Sequence, residues 1–418
     1  MFNTIRNAWK IPDLRKKMVF TLLMLVIFRL GSFIPVPGMN REALASLIES
    51  GGLLGFFDVI SGGAFKNFAI FAMNITPYIN ASIIMQLLTI AIPSLEALAK
   101  EGEEGRKKIA QYTRYGTVVL ALIQATALSI GLKGYLLKTD FISVSLVALS
   151  LTAGTAFLMW LGELITEKGV GNGISLIIFA GIVSRIPVGA NQIFQLYKAK
   201  TASIFELIGF LILAVIIIMG VVLIQEGQRR IPVQYAKRVV GRKMYGGQSS
   251  HIPLKVNQAG VIPVIFAMSI IEFPKQIVGF FPGSGAYNFF TKYFAWGTWI
   301  HGILYALLII GFTYFYTAVT FNPVEVSNNI KKYGGFIPGI RPGRPTADFI
   351  QRSLSRITLV GASFLALIAI LPIFIMAFTN IKIFFGSTSL LIVVSVAMET
   401  VKQIEAQMIM RNYQGFLK

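Results

Sequence analysis

A short apolar stretch bounded by two glycine pairs decides how the chain is interpreted. Residues 51–63 read GGLLGFFDVISGG, which at about 1.5 Å of rise per helical residue cannot cross a hydrocarbon core of about 30 Å. Residues 68–92 follow; they are apolar and long enough to span, with Pro77 near their start. An interrupted helix at membrane depth is tolerated where protein buries it or where it lines a cavity. The sequence therefore predicts a short plug beside a spanning helix that faces something other than lipid.

The second of these segments carries polar side chains that lipid would penalise and that we expect to face protein or water, namely Asn74, Asn80, Ser82 and Gln86. Ile75 and Ile79 lie four residues apart and share one face of the predicted helix. The segment closely resembles the plug and second transmembrane helix of bacterial members of the SecY family, which forms the pore of protein-conducting channels. Members of that family commonly have glycine where this chain has Asn74.

The composition indicates an integral membrane protein, with 418 residues, a mean hydropathy of +0.70 and 13% charged residues. The chain has no cysteine, which excludes disulfides and thiolate metal sites. Residues 1–17 are basic and amphipathic, and residues 18–30 continue into a full span without a small-residue cleavage site. We therefore expect the first helix to serve as its own targeting signal.

Apolar runs predict ten spanning helices, at residues 17–35, 68–92, 109–132, 142–163, 173–188, 203–225, 257–278, 302–320, 355–378 and 387–406. An even number puts both termini on one side of the membrane. About 27 of the 38 lysines and arginines fall on that side, so we expect it to be cytoplasmic. A formal net charge of +20 could also indicate nucleic-acid binding, but this uneven distribution favours topology.

A glycine-rich turn precedes the fifth span. Residues 168–175 read KGVGNGIS, which superficially matches a phosphate-binding loop. Such a loop should follow a strand, whereas this one follows a predicted membrane helix, so a tight turn is favoured. Residues 160–181, which include this turn, resemble a second signature of the SecY family.

Two predicted cytoplasmic loops, at about 226–256 and 321–354, are too long and too basic to be simple connectors. From residue 228 the first loop alternates apolar and polar residues, which predicts a short strand. Both resemble the loops on which SecY proteins dock the ribosome and the SecA motor, which implies docking roles for Arg229, Arg230, Arg242, Lys243, Arg341 and Arg344. The alternative is that these charges only set topology and attract anionic headgroups.

The resemblance implies an all-α membrane protein, with ten transmembrane helices in two inverted-repeat halves around a central hourglass pore closed by a plug helix. The halves would be residues 1–188 and 189–418, with the plug at about 53–65. Pro77 and Pro263 mark interrupted helices at corresponding places in the two halves, which points to the substrate path.

The resemblance also implies three sets of site residues. The ring that narrows the pore would be Ile75, Ile79, Ile174, Ile178, Ile265 and Ile392. The plug would contain Leu53, Leu54, Phe56, Phe57, Val59, Ile60 and Phe65. The lateral gate, between the second–third and seventh–eighth spans, would contain Asn80, Gln124, Ser269 and Glu272. From the residues alone, isoleucine is common in every membrane helix, and each polar residue is equally suited to an ordinary interhelical hydrogen bond.

The function implied is a channel that passes unfolded secretory polypeptides across the cytoplasmic membrane of a bacterium and releases hydrophobic segments sideways into lipid. No cofactor and no chemistry of its own are expected. The partners implied are the membrane subunits SecE and SecG, the SecA ATPase, the ribosome, signal sequences, nascent or unfolded polypeptides, and membrane lipid.

Two other classes of function share some of these sequence features. A secondary transporter for a small solute also has inverted repeats and broken helices. It would need ionisable residues near the bilayer midplane, whereas most acids near the spans are expected toward helix ends, namely Glu163, Glu226, Glu272 and Glu399. An intramembrane hydrolase would need an embedded base, whereas His251 and His301 both fall in predicted loops.

Overall fold

The computed structural model is predominantly helical. It describes residues 2–40, 58, 61–198, 204–235, 238–240, 243–245, 249–279, 284–294, 298–378 and 387–415. The N-terminal helices are α1 (Phe2–Lys10), α2 (Pro12–Gly31), α3 (Thr76–Ala91), α4 (Pro93–Lys100), α5 (Glu103–Gly131), α6 (Phe141–Lys168) and α7 (Gly173–Lys198). Proline occupies the first turn of α2, α3 and α4, where its missing N–H costs nothing.

The C-terminal helices are α8 (Ile204–Glu226), α9 (Ile262–Gly279), α10 (Gly285–Tyr293), α11 (Trp299–Thr320), α12 (Pro323–Lys332), α13 (Arg344–Phe378) and α14 (Ser387–Gly415). Side chains cap three of them: Ser284 accepts from the Tyr287 N–H, Thr298 from the His301 N–H, and Asn322 from the N–H groups of Val324 and Glu325. Each cap satisfies a backbone donor that the first helical turn leaves unpaired.

The second predicted span differs from expectation. We predicted one helix over residues 68–92, but residues 61–75 form consecutive, mostly buried turns and α3 begins at Thr76. Phe68 and Asn74 have φ values of 41° and 53°, in the left-handed region that a right-handed helix cannot contain. The chain then bends by 99° between α3 and α4. The helical part is therefore 16 residues, or about 24 Å, long.

Several helices are long and apolar enough to cross a membrane. Among the described residues five qualify by length and composition, or six if the bent α3–α4 pair counts as one span. They are α5 (Glu103–Gly131), α6 (Phe141–Lys168), Gly173–Asn191 of α7, α11 taken together with α12 (Trp299–Lys332), and Arg344–Leu371 of α13. Within α8, Leu211–Glu226 is a shorter apolar stretch. The total of ten spans stays a prediction. α7 continues to Lys198, ten residues beyond the predicted half boundary at 188.

The two basic loops form one small α/β module, so the fold is not purely helical. Strands β1 (Gln228–Tyr235), β4 (Ser249–Lys255) and β5 (Gly335–Phe336) make an antiparallel sheet in the order β4-β1-β5. β2 (Arg238–Val240) and β3 (Lys243–Tyr245) form a separate hairpin. The predicted strand is confirmed, with Ile231 and Val233 buried on one face. They pack in a cluster that includes Leu254, Ile330, Ile337, Ile350 and Leu354, so the module rests on the first turns of α13.

Candidate functional site

The helices that carry the predicted pore ring make two sets of contacts between the predicted halves, which we call seams. At one seam, α3 and α5 pack against α9. At another, α7 and α1 pack against α14. The predicted ring residues are on α9, on α14, on α7, and on α3 with the residue before it. The structure therefore brings together the four segments that the sequence singled out.

All six predicted ring isoleucines belong to one apolar cluster. Ile75, Ile178, Ile265 and Ile392 are 1%, 5%, 7% and 3% exposed, and Ile79 and Ile174 are partly buried against the same cluster. The cluster is large and contains many other apolar side chains, so a constriction formed by these six stays a prediction. Ile174 also packs against Gly162 of α6, where a larger residue would overlap its side chain.

The starts of α3 and α9 are built alike. Each helix has proline as its second residue, Pro77 and Pro263, and a predicted ring isoleucine two residues later. Three residues before each proline the backbone is left-handed, with φ of 53° at Asn74 and 65° at Gly260. Asparagine tolerates this conformation better than most other residues, which explains how it replaces the usual glycine. Both prolines lie in the first turn of their helices. A proline that interrupts a helix would instead lie inside it.

Of the seven named plug residues, the structure describes Phe65, which is buried in a second apolar cluster with Val36, Phe68 and Leu128. The other predicted plug residues lie outside the described part of the chain, namely Leu53, Leu54, Phe56, Phe57, Val59 and Ile60.

Asp58 and residues 61–66, nearly all within the predicted plug at about 53–65, are held from two sides. Asp58 is 2% exposed, forms an ion pair with Arg185 of α7, and accepts a hydrogen bond from the Lys66 N–H at 2.7 Å. Arg29 of α2 donates to the Gly62 carbonyl. Gly62 and Gly63 both have left-handed backbones, with φ of 67° and 91°. Sequence reasoning anticipated the glycine pair but missed the Asp58–Arg185 contact, which only tertiary structure reveals.

The predicted lateral-gate residues are all buried. Asn80, Gln124 and Ser269 lie on α3, α5 and α9, the helices that form the first seam. Neither the amide nitrogen of Asn80 nor either amide atom of Gln124 has a hydrogen-bond partner among the described residues. These three amide atoms are therefore buried without a partner among the described residues, near the boundary between the predicted halves.

Glu272 takes part in a charged group that the sequence analysis did not foresee. Its carboxylate is 2.8 Å from Lys275 Nζ on the same helix, and Lys275 Nζ is 3.3 Å from His301 Nδ1 on α11. The expectation that His301 lies in a loop is wrong: it is buried in the first turn of α11, whereas His251 is exposed on β4. Glu272 and Glu399 also lie inside α9 and α14 and not near their ends. The i,i+3 spacing of glutamate and lysine in an apolar run was the available signal.

Four of the six predicted docking residues are exposed, as follows. Arg229 and Arg230 lie on β1, and Arg341 and Arg344 lie at the turn from β5 into α13. Gly339 and Gly343 shape that turn with φ of 80° and 100°, and Thr346 Oγ1 donates to the Arg341 carbonyl at 2.9 Å. Arg242 lies outside the described residues, and Lys243 begins β3.

Several long apolar helices, whose isoleucine-bearing segments pack in one apolar cluster, indicate a multi-pass membrane protein. The SecY family model matches residues 69–401. The protein translocase subunit SecY of Halalkalibacterium halodurans is 53% identical over 431 residues, covering 100% of both chains. Its counterpart from Thermotoga maritima is 45% identical, covering 100% of this chain and 98% of its own length.

The chain belongs to the SecY family. As such it is a channel subunit of a protein translocase and not an enzyme. This assignment outweighs the transporter alternative, even though Glu272 and Lys275 place ionisable groups inside a helix.

Three solved structures share the fold. One, described as a protein conducting channel, aligns with a TM-score of 0.69 at 20% identity, over 94% of this chain and 92% of that one. A SecY structure whose plug domain is described as stabilising the closed state of the translocation channel and maintaining a membrane seal aligns at 0.68 and 19%, with the same coverage. Sec61 from a canine ribosome-channel complex aligns at 0.64 and 18%, again over 94% and 92%.

Proposed function

We propose that this chain forms the path by which unfolded secretory polypeptides cross the cytoplasmic membrane of a bacterium, and that it releases hydrophobic segments sideways into lipid. The observation that carries the proposal is the meeting of four isoleucine-bearing segments, from both halves, in one apolar cluster. Such a cluster suits a passing chain of any sequence, because it offers no fixed polar or charged partner at its centre.

The proposed resting state is closed by the six isoleucines. Isoleucine is stiff at χ1, and a narrow apolar constriction excludes ions because water does not wet it. A polypeptide that enters the ring replaces isoleucine–isoleucine contacts with its own, so the opening closes around it. A plug at about residues 53–65 would add a second seal on one side of the ring.

The proposed topology has ten spans, halves related as inverted repeats, and both termini in the cytoplasm. The uneven distribution of lysine and arginine supports it. So does the similar construction of α3 and α9, which each follow a left-handed residue and carry a proline and then an isoleucine in their first turn. These two helices would be the corresponding elements of the two halves.

The proposed partners are SecE and SecG in the membrane, and SecA or the ribosome on the cytoplasmic side. Exposed arginines on one compact module give such partners a rigid basic surface. Arginine suits this role because its planar guanidinium makes two parallel hydrogen bonds to a carboxylate or phosphate. The likeness to a channel solved on a ribosome is consistent with this docking face.

The lateral gate is proposed at the seam of α3 and α5 with α9. The buried amides of Asn80 and Gln124 make this seam costly to keep closed, since an unsatisfied buried polar group costs about 1–3 kcal/mol. A hydrophobic segment that inserts there would separate the helices and let both amides find partners.

Reconstitution tests the proposal directly. The chain is incorporated with SecE and SecG into lipid vesicles, and SecA, ATP and a secretory precursor are added outside. We expect protease-protected precursor inside the vesicles, dependent on ATP and on this chain. The matched control is the same precursor without its signal sequence, which should stay accessible to protease. No protected precursor, together with uptake of a small solute, would support the transporter class instead.

A further inference from the structure

Next to the predicted ring, the buried carboxylate of Asp58 pairs with Arg185 of α7, in a segment that Arg29 of α2 contacts from the other side. Asp58 and residues 61–66 form what we call the latch segment. The Asp58 carboxylate pairs with Arg185 and accepts from the Lys66 N–H, and its carbonyl accepts from the Gly63 N–H at 2.9 Å and from Ser61 Oγ at 3.2 Å. One aspartate therefore organises the whole latch segment and attaches it to α7.

Close backbone contact fixes the latch segment to the same helix. A Cβ placed on Gly62 would lie 3.0 Å from Gly181 Cα, 3.1 Å from the Gly181 carbonyl oxygen and 3.0 Å from Ser184 Oγ. A side chain at position 62 would press on this backbone, and the φ of 67° also favours glycine there, so Gly62 permits the close approach. From the other side, Arg29 in the last turn of α2 donates to the Gly62 carbonyl.

The latch segment lies next to the predicted ring. Gly181 follows Ile178 by three residues on α7, a rise of about 4.5 Å. Phe65, at the other end of the segment, is anchored in the second apolar cluster. Movement of the segment away from the ring must therefore break the ion pair with Arg185 and the contact with Gly181.

The Asp58–Arg185 pair differs from the surface ion pairs of this chain. Glu96–Lys100 and Glu103–Lys107 lie on exposed helix faces, where such pairs contribute little. The Asp58 side chain is 2% exposed and that of Arg185 is 19% exposed. Removal of one partner of a buried pair is costly because the other charge is left uncompensated, whereas removal of both is milder.

We propose that Asp58 and Arg185 form an ionic latch that positions the latch segment against α7 beside the ring when the channel is closed. Arg29 supports the same position through its hydrogen bond to the Gly62 carbonyl. This rests on the proposed channel function. Asp58 and Arg185 are positioning residues: they touch no translocating chain and act by holding the latch segment in place. Opening requires the pair to separate, so the latch sets how readily the resting channel opens.

A double-mutant cycle in the cysteine-free chain tests the latch. The variants are Asp58→Asn, Arg185→Gln and their combination, each with Ser184→Cys as a reporter beneath Gly62. Asparagine can still accept from the Lys66 N–H, so Asp58→Asn removes the charge while the local turn can persist. Two quantities are measured on complexes in vesicles: the maleimide labelling rate of the new thiol and the resting ion conductance.

We expect Asp58→Asn and Arg185→Gln each to raise both quantities about tenfold, equivalent to about 1.4 kcal/mol, and the double variant to be no worse than either single one. Asp58→Glu should retain most of the protection. Glu103→Gln, which breaks an exposed pair, is the matched control and should equal the parent. Additive effects of the two substitutions, or labelling at the parental rate in Asp58→Asn, would overturn the latch.

The result is separable from that of the channel proposal. If the parent translocates precursor but the latch variants match it in labelling and conductance, the latch is wrong and the channel function stands. If labelling responds as expected while neither parent nor variants move precursor, the latch holds and the function is wrong. The amount of each variant that purifies with SecE serves as the check on folding.

Discussion

At the scale of single residues, backbone conformation explains the choice at position 74. Asn74 is buried, with φ of 53°, immediately before the predicted ring residue Ile75. Gly260 has the same conformation before α9. The requirement is therefore a left-handed residue and not glycine as such.

Substitution at Asn74 should follow backbone preference. Asn74→Gly should leave thermal stability close to that of the parent, because glycine adopts φ above zero readily. Asn74→Val should lower the free energy of unfolding by roughly 1–2 kcal/mol, since a β-branched side chain is strained there. Thermal unfolding of the purified complex measures both. If valine and glycine are equally stable, the left-handed conformation does not decide this position.

The residue Ile392 allows the predicted ring to be tested alone. It is 3% exposed and packs in the cluster shared by all six isoleucines. Burial of an isoleucine is worth roughly 1.5–3 kcal/mol, so Ile392→Asn should weaken the closed state and raise the open population tenfold or more. We expect ion leakage and export of a reporter with a defective signal sequence. Leu359→Asn, at an exposed position of α13, is the control and should do neither. If Ile392→Asn behaves like the parent in both assays, Ile392 does not belong to the ring.

At the scale of elements, periodicity predicted the parts that local rules control. The strand from residue 228 was found from alternation alone, and most predicted spans coincide with helices. The second span was predicted too long because the left-handed residues Phe68 and Asn74 leave no mark on hydropathy. The pairing of β1 with β5 joins residues about 100 apart, and the Asp58–Arg185 contact joins distant segments. Both depend on tertiary structure, which composition does not encode.

The turn between β5 and α13 is the element best suited to dock a motor. Its glycines, Gly339 and Gly343, and the hydrogen bond from Thr346 to the Arg341 carbonyl fix the backbone while the Arg341 side chain stays exposed. Arg341→Glu should abolish SecA-driven translocation and leave the membrane sealed, because the charge reverses without touching the predicted pore. Arg352→Glu, exposed on α13 of the same module, is the control and should retain translocation. Normal translocation by Arg341→Glu would refute its coupling role, and an ion leak would indicate a pore role.

At the scale of the whole molecule, the topology can be tested with two small substitutions. Ser250 on β4 and Thr139 between α5 and α6 are both exposed and are predicted on opposite sides of the membrane. In sealed cells, Thr139→Cys should react with an impermeant maleimide and Ser250→Cys should not, until the membrane is opened. The chain has no other cysteine, so each signal has one source. Labelling of Ser250→Cys from outside would contradict the proposed topology.

The two seams between the halves differ in how well their polar groups are satisfied. At the seam of α7 and α1 with α14, Thr4 Oγ1 donates to Glu405 Oε1 at 2.9 Å, and Ala8, Leu14, Val170 and Ile404 pack together. At the seam of α3 and α5 with α9, the amide nitrogen of Asn80 and both amide atoms of Gln124 have no partner among the described residues. The second seam is therefore the one that we expect to open.

This difference predicts an unusual gain of stability from losing a polar residue. Gln124→Leu removes two buried, unsatisfied amide atoms, so it should stabilise the closed complex by about 1–3 kcal/mol and slow the release of hydrophobic segments into lipid. Gln225→Leu is the matched control: Gln225 Nε2 donates to Ser395 Oγ at 2.8 Å, so the same substitution there should lower stability. Thermal unfolding and the membrane insertion rate of a model transmembrane segment measure the two effects. If Gln124→Leu destabilises the complex as Gln225→Leu does, then Gln124 is a satisfied interhelical partner in the native membrane, and this seam is not the one primed to open.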